Sequence, residues 1–261
     1  MTRCCWLAAL AMLLGFIAPA NAKTPVLQLI LTPKTATAAG FGPLVNCFSI
    51  TPDGIVVVGN ESHLWAVGAA GALPLKISGL TSFAFMPGGI LLGVDGHQLV
   101  YLDTDGTLKT LFSLPEPGMS VVPSQGNTLI LFGPEAPGRY GLYLLHQGRQ
   151  ATKILQLPAS IEDVAALNKT LLFISGGALY EVSGHHIHLL AAERGAGFTS
   201  VTADPITGAI YLADASHVFK LQRGQIDPIS NNFTGLLRWT QGGLIIFNNK
   251  DDVLVRLCMP S

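Results

Sequence analysis

Charged residues are scarce in this chain of 261 residues. Lysine, arginine, aspartate and glutamate make up 12% of it, whereas 49% of the residues are hydrophobic; a typical soluble domain carries roughly 25% charge. Disordered chains combine high charge with low hydrophobicity, so the composition excludes disorder. A formal net charge of −1 likewise excludes a protein that binds nucleic acid through a strongly basic surface.

Long hydrophobic runs are also lacking, except at the N-terminus. Residues 1–22 contain one basic residue, Arg3, then an apolar run over residues 6–19 and a final Ala20-Asn21-Ala22. Small residues after a short apolar run are the pattern of a cleavable secretory signal, and about 14 residues are too few to span a bilayer, which needs about 20. We therefore predict cleavage after Ala22, a periplasmic or secreted domain of residues 23–261, and no membrane segment within it.

Helical patterns are nearly absent, because 29 glycines and 16 prolines interrupt most stretches of the chain. A repeat of short apolar strands takes their place, and each repeat contains a turn before its second strand. The turn residues are Gly54, Gly89, Gly126, Lys169, Gly208 and Gly243, at spacings of 35, 37, 43, 39 and 35. Four strands in about 40 residues is the period of a propeller blade. We predict an all-β fold, a six-bladed β-propeller with four-stranded blades; a β-sandwich or a row of unrelated hairpins is the alternative.

The two ends of the chain supply complementary pieces of one blade. The last repeat stops after the strand at residues 253–257, and the strand at residues 26–31 belongs to no repeat. We predict that the N-terminal strand closes the last blade and so joins the ends of the ring. Cys47 and Cys258 would then lie on neighbouring blades, and we expect a disulfide between them because exported proteins form such bonds.

Residues 45–258 resemble the six-bladed propellers that include NHL-repeat and SMP-30/gluconolactonase-like proteins. The resemblance rests on Thr-Pro-Asp-Gly-Ile-Val-Val-Val-Gly at residues 51–59 and on Val-Thr-Ala-Asp-Pro-Ile-Thr-Gly-Ala-Ile-Tyr-Leu-Ala-Asp at residues 201–214. The second segment is close to the D-x-x-x-G-x-h-Y-h-A-D run of NHL blades, where h is a hydrophobic residue. These motifs imply an architecture and leave the activity open.

Lactonases of this group hold a divalent metal over the central channel with glutamate, asparagine and aspartate, so the resemblance implies a site at the starts of the inner strands. Those starts carry Asn46, Ser82, Ser120, Glu162 or Asp163, Ser200 and Arg238. Only Asn46 and one acid suit a hard cation. We therefore predict no metal and no other cofactor, and we keep a lactonase-like hydrolase or lyase acting on a small metabolite as the alternative function.

The loops between second and third strands share a face with the starts of the inner strands. The longest, residues 133–140, carries Glu135, Arg139 and Tyr140, which are an acid, a forked donor and an aromatic. Together with Asn46, Glu162, Asp163 and Arg238 they are the candidate binding residues, and the alternative is that they are ordinary solvated loop tips. Because nucleophile motifs are missing, we expect an exported, monomeric, non-catalytic propeller that binds a protein, peptide or envelope component through this face.

Overall fold

A computed structural model of the chain describes residues 26–32, 46–60, 62–68, 71–124, 128–146, 150–184, 186–192, 197–231, 233–241, 243–248, 250–251 and 253–258. The predicted signal peptide, residues 1–22, lies outside the described residues. Within these ranges the regular structure consists of 24 strands, and no helix there has the length and apolar character needed to cross a membrane.

The strands form six antiparallel sheets of four strands each, and the sheets are the blades of a propeller. The first strand of the chain, β1 (Val26–Leu31), belongs to blade 6. Blade 1 contains β2 (Cys47–Ile50), β3 (Val56–Gly59), β4 (Leu64–Gly68) and β5 (Gly71–Leu75); blade 2 contains β6 (Ser82–Phe85), β7 (Leu91–Asp95), β8 (Gln98–Leu102) and β9 (Leu108–Ser113); blade 3 contains β10 (Ser120–Pro123), β11 (Thr128–Ala136), β12 (Arg139–His146) and β13 (Gln150–Leu157). Blade 4 contains β14 (Asp163–Leu167), β15 (Thr170–Ser175), β16 (Ala178–Ser183) and β17 (His186–Ala192); blade 5 contains β18 (Ser200–Ala203), β19 (Ile210–Ala213), β20 (Val218–Gln222) and β21 (Gln225–Ser230); blade 6 adds β22 (Leu236–Thr240), β23 (Gly243–Asn248) and β24 (Val253–Cys258).

The second strand of each blade is apolar on both faces because each sheet packs between two others. β3 and β19 are buried at every position, and so are the apolar residues of β23. A strand covered on both sides appears in the sequence as a continuous apolar run, without alternation of polar residues. The outermost strands are more exposed, as in β13 and β17. This layering explains how the fold accommodates so little charge.

The ring closes as the sequence predicts. The inner strands contact one another in order around the channel, from β2 through β6, β10, β14 and β18 to β22 and back to β2. β1 pairs antiparallel with β24 as the outer strand of blade 6, with Val26 opposite Cys258 and Leu31 opposite Leu254. Leu31 is buried with Phe48 of blade 1 and Phe247 of blade 6. The N-terminal strand therefore seals the junction between the last blade and the first.

The ring has two distinct faces. Each inner strand begins at the face that carries the connections between second and third strands, such as residues 60–63 and 214–217; we call this the loop face. Each inner strand ends at the face that carries the connections between first and second strands, such as residues 51–55 and 204–209; we call this the turn face. At the turn face of blade 1, the Gly54 N–H donates to the Thr51 carbonyl at 2.9 Å, and Gly54 has a φ of 82°.

The predicted disulfide is wrong, because the two cysteines lie at opposite faces. Cys47 begins an inner strand at the loop face, whereas Cys258 ends β24 at the turn face, level with Gly243 and Thr240. Thr240 is four residues along β22 from its loop-face end, a distance of roughly 13 Å, and a disulfide needs Cα atoms about 4.4–6.8 Å apart. Both thiols are free. Burial raises the pKa of Cys47 to about 12, against a smaller opposing effect of Arg238.

Candidate functional site

Small polar side chains at the starts of the inner strands bridge adjacent blades. The Ser82 hydroxyl accepts a hydrogen bond from the Val121 N–H of the next blade at 3.0 Å. The Ser200 hydroxyl likewise accepts from the Leu237 N–H at 2.9 Å. An inner strand has no further strand on its channel side, so these side chains satisfy backbone donors that would otherwise lack partners. Ser82 and Ser200, at positions where the resemblance implies a metal site, therefore join neighbouring blades.

The acid of the channel, Asp163 in blade 4, is fully engaged by the protein. Its Oδ2 accepts hydrogen bonds from the Ser200 hydroxyl at 2.6 Å and from the Val201 N–H at 3.0 Å. Arg238 reaches across from blade 6, and its Nη1 lies 3.2 Å from the same oxygen. The Arg238 guanidinium also lies 5.6 Å from the ring centre of Phe48. The structure thus brings two predicted site residues together, as partners of each other.

This donor set does not fit the divalent metal that the resemblance implies. The first inner-strand level consists of Cys47, Ser82, Ser120, Asp163, Ser200 and Leu236, so it offers a single carboxylate, and the Arg238 guanidinium already supplies the positive charge that a cation would bring. Asn46 and Glu162 precede this level and are exposed, and Glu162 accepts a hydrogen bond from the Ser160 hydroxyl at 2.8 Å. Among the residues that the structure describes, no three histidine, cysteine or acidic side chains cluster as metal ligands do.

The segment at residues 133–140 is a β-hairpin, and the prediction of a long loop there is wrong. β11 and β12 pair up to Ala136 opposite Arg139, with a register shift after Pro134 that lets the strands continue. Arg139 is exposed, while Tyr140 packs against the apolar cluster between blades 3 and 4. These two side chains therefore do not converge on the central channel.

Glu135 is committed to contacts within its own blade. Its carboxylate lies 2.8 Å from the Lys153 ammonium and accepts a hydrogen bond from the Tyr143 hydroxyl. Burial alone would raise the pKa of Glu135, but these partners outweigh it and hold the pKa below its usual range. The neighbouring Gly141 has no side chain, and a Cβ atom there would overlap the Glu135 carboxylate.

A cavity of about 880 Å³ occupies the turn-face end of the channel. The ends of the inner strands of blades 1, 3, 4, 5 and 6 line it, with apolar residues such as Val122 and Ala166 beside polar ones such as Thr202 and Gln241. Its volume lies within the range of small-molecule sites, roughly 300–1,000 Å³. Arg238, whose guanidinium pairs with Asp163, is one of the lining residues.

Two further lining residues, Trp239 and Arg256, were missed at the sequence level. The Trp239 ring stacks on the Tyr211 ring with centres 5.1 Å apart and planes 7° apart, and the Trp239 N–H group of the backbone donates to the Thr202 hydroxyl at 3.0 Å. The Arg256 Nε is buried and has no hydrogen-bond partner among the described residues. The sequence did contain a signal for them, because each is a large aromatic or charged residue within an otherwise apolar strand of the last blade.

Three exposed isoleucines also lie in turn-face connections. Ile55, Ile90 and Ile206 are 47%, 50% and 86% exposed. Ile206 lines the cavity, and Ile55 follows Gly54, which also lines it. Within the described ranges, the other exposed large apolar side chains lie on the outer strands β1, β5, β17 and β21. The turn face therefore combines the channel cavity with apolar side chains at its surface.

Comparison with known proteins identifies the fold. No family model matches the sequence, and no curated protein matches it. Solved structures do match: a gluconolactonase from Xanthomonas campestris is 13% identical, with 82% of this chain and 85% of that chain covered and a TM-score of 0.68. Regucalcin, a calcium-binding protein from Agrobacterium tumefaciens, is 14% identical over 82% of this chain and 89% of that chain, with a TM-score of 0.63. The likeness is one of fold.

A third match comes from a different functional setting. A chain of a nidogen–laminin complex is 12% identical, with 70% of this chain and 79% of that chain covered and a TM-score of 0.58. The same propeller architecture thus occurs in a lactonase, in a calcium-binding protein and in a protein complex. Because a fold hosts unrelated activities, the function has to be argued from the residues of this chain.

Proposed function

We propose that the protein is an exported, non-catalytic binding propeller that recognises a protein, peptide or envelope component through its turn face. The observation that carries the proposal is the cavity of about 880 Å³ at that face, with Ile206 in its lining and Ile55 beside it. Concave, partly apolar surfaces with a few polar groups are the usual recognition sites of proteins. The sequence alone favoured the loop face; the cavity and the exposed isoleucines move our proposal to the opposite one.

The binding role is favoured over the hydrolase or lyase alternative by the state of Asp163. A general acid or base needs a carboxyl group that is free to exchange a proton with the substrate, and this one is held by Arg238, Ser200 and the Val201 N–H. The alternative predicts turnover of lactones by the purified protein. We expect no lactone hydrolysis above the uncatalysed rate, and turnover would favour the alternative.

Export is supported by residues 1–22, with their short apolar run and small residues before Lys23. We expect the protein expressed with its own N-terminus in a Gram-negative host to be recovered from the periplasmic or extracellular fraction and to begin at Lys23. N-terminal sequencing and intact mass measure this directly. Retention of residues 1–22 would refute the export part of the proposal.

Affinity capture from the producing organism tests the binding role. The bait is residues 23–261, as wild type and as the double variant Ile55→Lys/Ile206→Lys, which alters exposed side chains of the turn face. The control is Leu73→Lys on the outer strand β5, whose side chain is 71% exposed. We expect a partner that the wild type and Leu73→Lys retain and the double variant loses. Equal recovery by all three baits, or no partner at all, would contradict the proposal.

A further inference from the structure

Arg256 places a positive charge at the turn-face cavity. Arg256 lies in β24, the third strand of blade 6. It pairs with Ile245 of β23, and Ile245 pairs with Arg238 of β22. Residues directly opposite one another across strands point to the same side of a sheet. Both arginines are lining residues of the cavity, but the Arg238 guanidinium pairs with Asp163 at the loop-face start of β14.

The two arginines differ in what they bind. Arg238 is neutralised by Asp163 at 3.2 Å and also donates to the Leu237 carbonyl at 2.7 Å. Arg256 has a buried Nε without a hydrogen-bond partner in the described part of the chain. A buried charged donor without a partner is costly, and each such group needs an explanation, of which a bound ion is one. Arg256 is therefore a cationic residue of the cavity without an acceptor among the described residues.

One acid also lies in the cavity lining. Asp53 sits in the turn of blade 1 and is exposed to solvent. Asp53 and Arg256 are both described residues, and they do not form an ion pair with each other. Apolar residues, including Val122 and Pro123, line the cavity, and so does Trp239. The lining thus contains an arginine without an ion pair together with apolar residues.

We infer that the turn-face cavity is a carboxylate-binding site. Arg256 pairs with the carboxylate of the ligand, since a planar guanidinium matches that group with two parallel hydrogen bonds. The apolar part of the ligand packs on Trp239 and the neighbouring aliphatic side chains. The inference deepens the proposed function by naming the chemistry that the turn face recognises. The carboxylate belongs either to a free organic acid or to the C-terminus of a peptide.

Matched pairs of probes isolate the negative charge. N-acetylphenylalanine and its amide differ only in the carboxylate, and a pentapeptide ending in phenylalanine serves as free acid and as C-terminal amide. Isothermal titration calorimetry measures all four against residues 23–261. We expect the acids to bind at least about tenfold more tightly than the amides, the gain typical of a hydrogen-bonded charge. A preference for the peptide acid identifies a C-terminus as the source, and a preference for the small acid identifies a free metabolite.

Arg256→Gln tests the residue itself, because it removes the charge while it keeps a long polar side chain. We expect the acids to lose at least about tenfold in affinity and the amides to be unaffected. Arg256→Lys should bind with intermediate affinity, and Lys250→Gln, which removes the same charge from an exposed loop-face residue, should match the wild type. Asp53→Asn should bind the acids at least as well as the wild type. Thermal unfolding of each variant confirms that the fold is kept.

Three results would overturn the inference. They are equal binding of acids and amides, wild-type affinity in Arg256→Gln, and no saturable binding of any probe at millimolar concentration. These results are distinguishable from failure of the proposed function. A partner that is captured through Ile55 and Ile206 but is unaffected by Arg256→Gln leaves the turn face as a binding face and removes only its carboxylate chemistry.

Discussion

At the scale of single residues, the main feature of the channel is the buried ion pair between Asp163 and Arg238. It lies where the resemblance to lactonases implies metal ligands. The side chains of Asp163 and Arg238 are 3% and 15% exposed. A buried pair of this kind contributes little net stability compared with apolar residues of similar size, yet removal of one partner is costly because the other charge stays buried. Asp163 and Arg238 should therefore be strongly coupled energetically.

A double-mutant cycle tests this coupling. We expect Asp163→Asn to lower the free energy of unfolding by about 3–5 kcal/mol, because it leaves the Arg238 guanidinium buried without a counter-charge. Arg238→Met should have a smaller effect, since Ser200 and the Val201 N–H still bind the carboxylate. The double variant should lose less than the sum of the two. Urea unfolding provides the measurement, and strict additivity would show that the pair does not act as a unit.

The lowered pKa of Asp214 predicts that the stability of the protein depends on pH. Burial raises its pKa, but the N–H groups of Ser216 and His217 outweigh burial, so the pKa lies below the ordinary 3.8. Stability from such a group is fully present above the pKa in the unfolded chain and is lost as pH falls through the lower pKa in the folded protein. At an equivalent loop-face position, Asn60 accepts the same kind of backbone hydrogen bonds, so Asp214→Asn is a conservative change.

We expect the wild type to be more stable than Asp214→Asn at pH 7 and this difference to shrink as the pH falls below the ordinary pKa of 3.8, because protonation of Asp214 removes its advantage. Urea unfolding at a series of pH values measures the difference in free energy. Asn60→Asp places a carboxylate at the equivalent position of blade 1, and it should make the free energy of unfolding fall more steeply at acidic pH than in the wild type. A difference between wild type and Asp214→Asn that stays constant down to pH 2 would contradict the assignment.

At the scale of strands, burial on both faces made the second strand of each blade recognisable in the sequence. The hairpin of β11 and β12 was not recognisable, because Gly133, Pro134, Pro137 and Gly138 are residues that usually mark a loop. The strands accommodate them through the register shift after Pro134 and a tight turn at the tip. Local turn chemistry therefore predicted where chain direction changes but not how far the pairing extends.

The closing strand β1 allows a matched pair of substitutions. Leu31 is 1% exposed in the cluster between blades 6 and 1, whereas Leu29 on the same strand is 53% exposed. We expect Leu31→Ala to lower the free energy of unfolding by about 2–5 kcal/mol, because it leaves a cavity at the junction of the ring. Leu29→Ala should change it by less than about 0.5 kcal/mol. Chemical denaturation measures both, and equal effects would mean that β1 does not seal the ring.

At the scale of the whole molecule, the repeat predicted the number of blades, their strands and the closure by the N-terminus. Strand direction also predicts which strand ends share a face. The expected disulfide rested on neighbouring blades alone, and it is wrong because Cys47 begins a first strand at the loop face whereas Cys258 ends a third strand at the turn face. The repeat did not predict which side chains meet across the channel, because that depends on the closed ring. The partners Asp163 and Arg238 belong to blades that are not adjacent, and only the closed ring brings them together.

The pairing of β1 with β24 also has a kinetic consequence. Val26 and Cys258 face each other across blade 6 although 232 positions separate them in the chain. A growing polypeptide completes blades 1 to 5 from consecutive segments, each needing only local contacts, but β1 stays without its partner until β24 has been synthesised. Contacts between such remote segments form slowly. Assembly of the other blades should therefore precede that of blade 6, and an edge of the ring stays open to unwanted strand pairing until β24 has been synthesised.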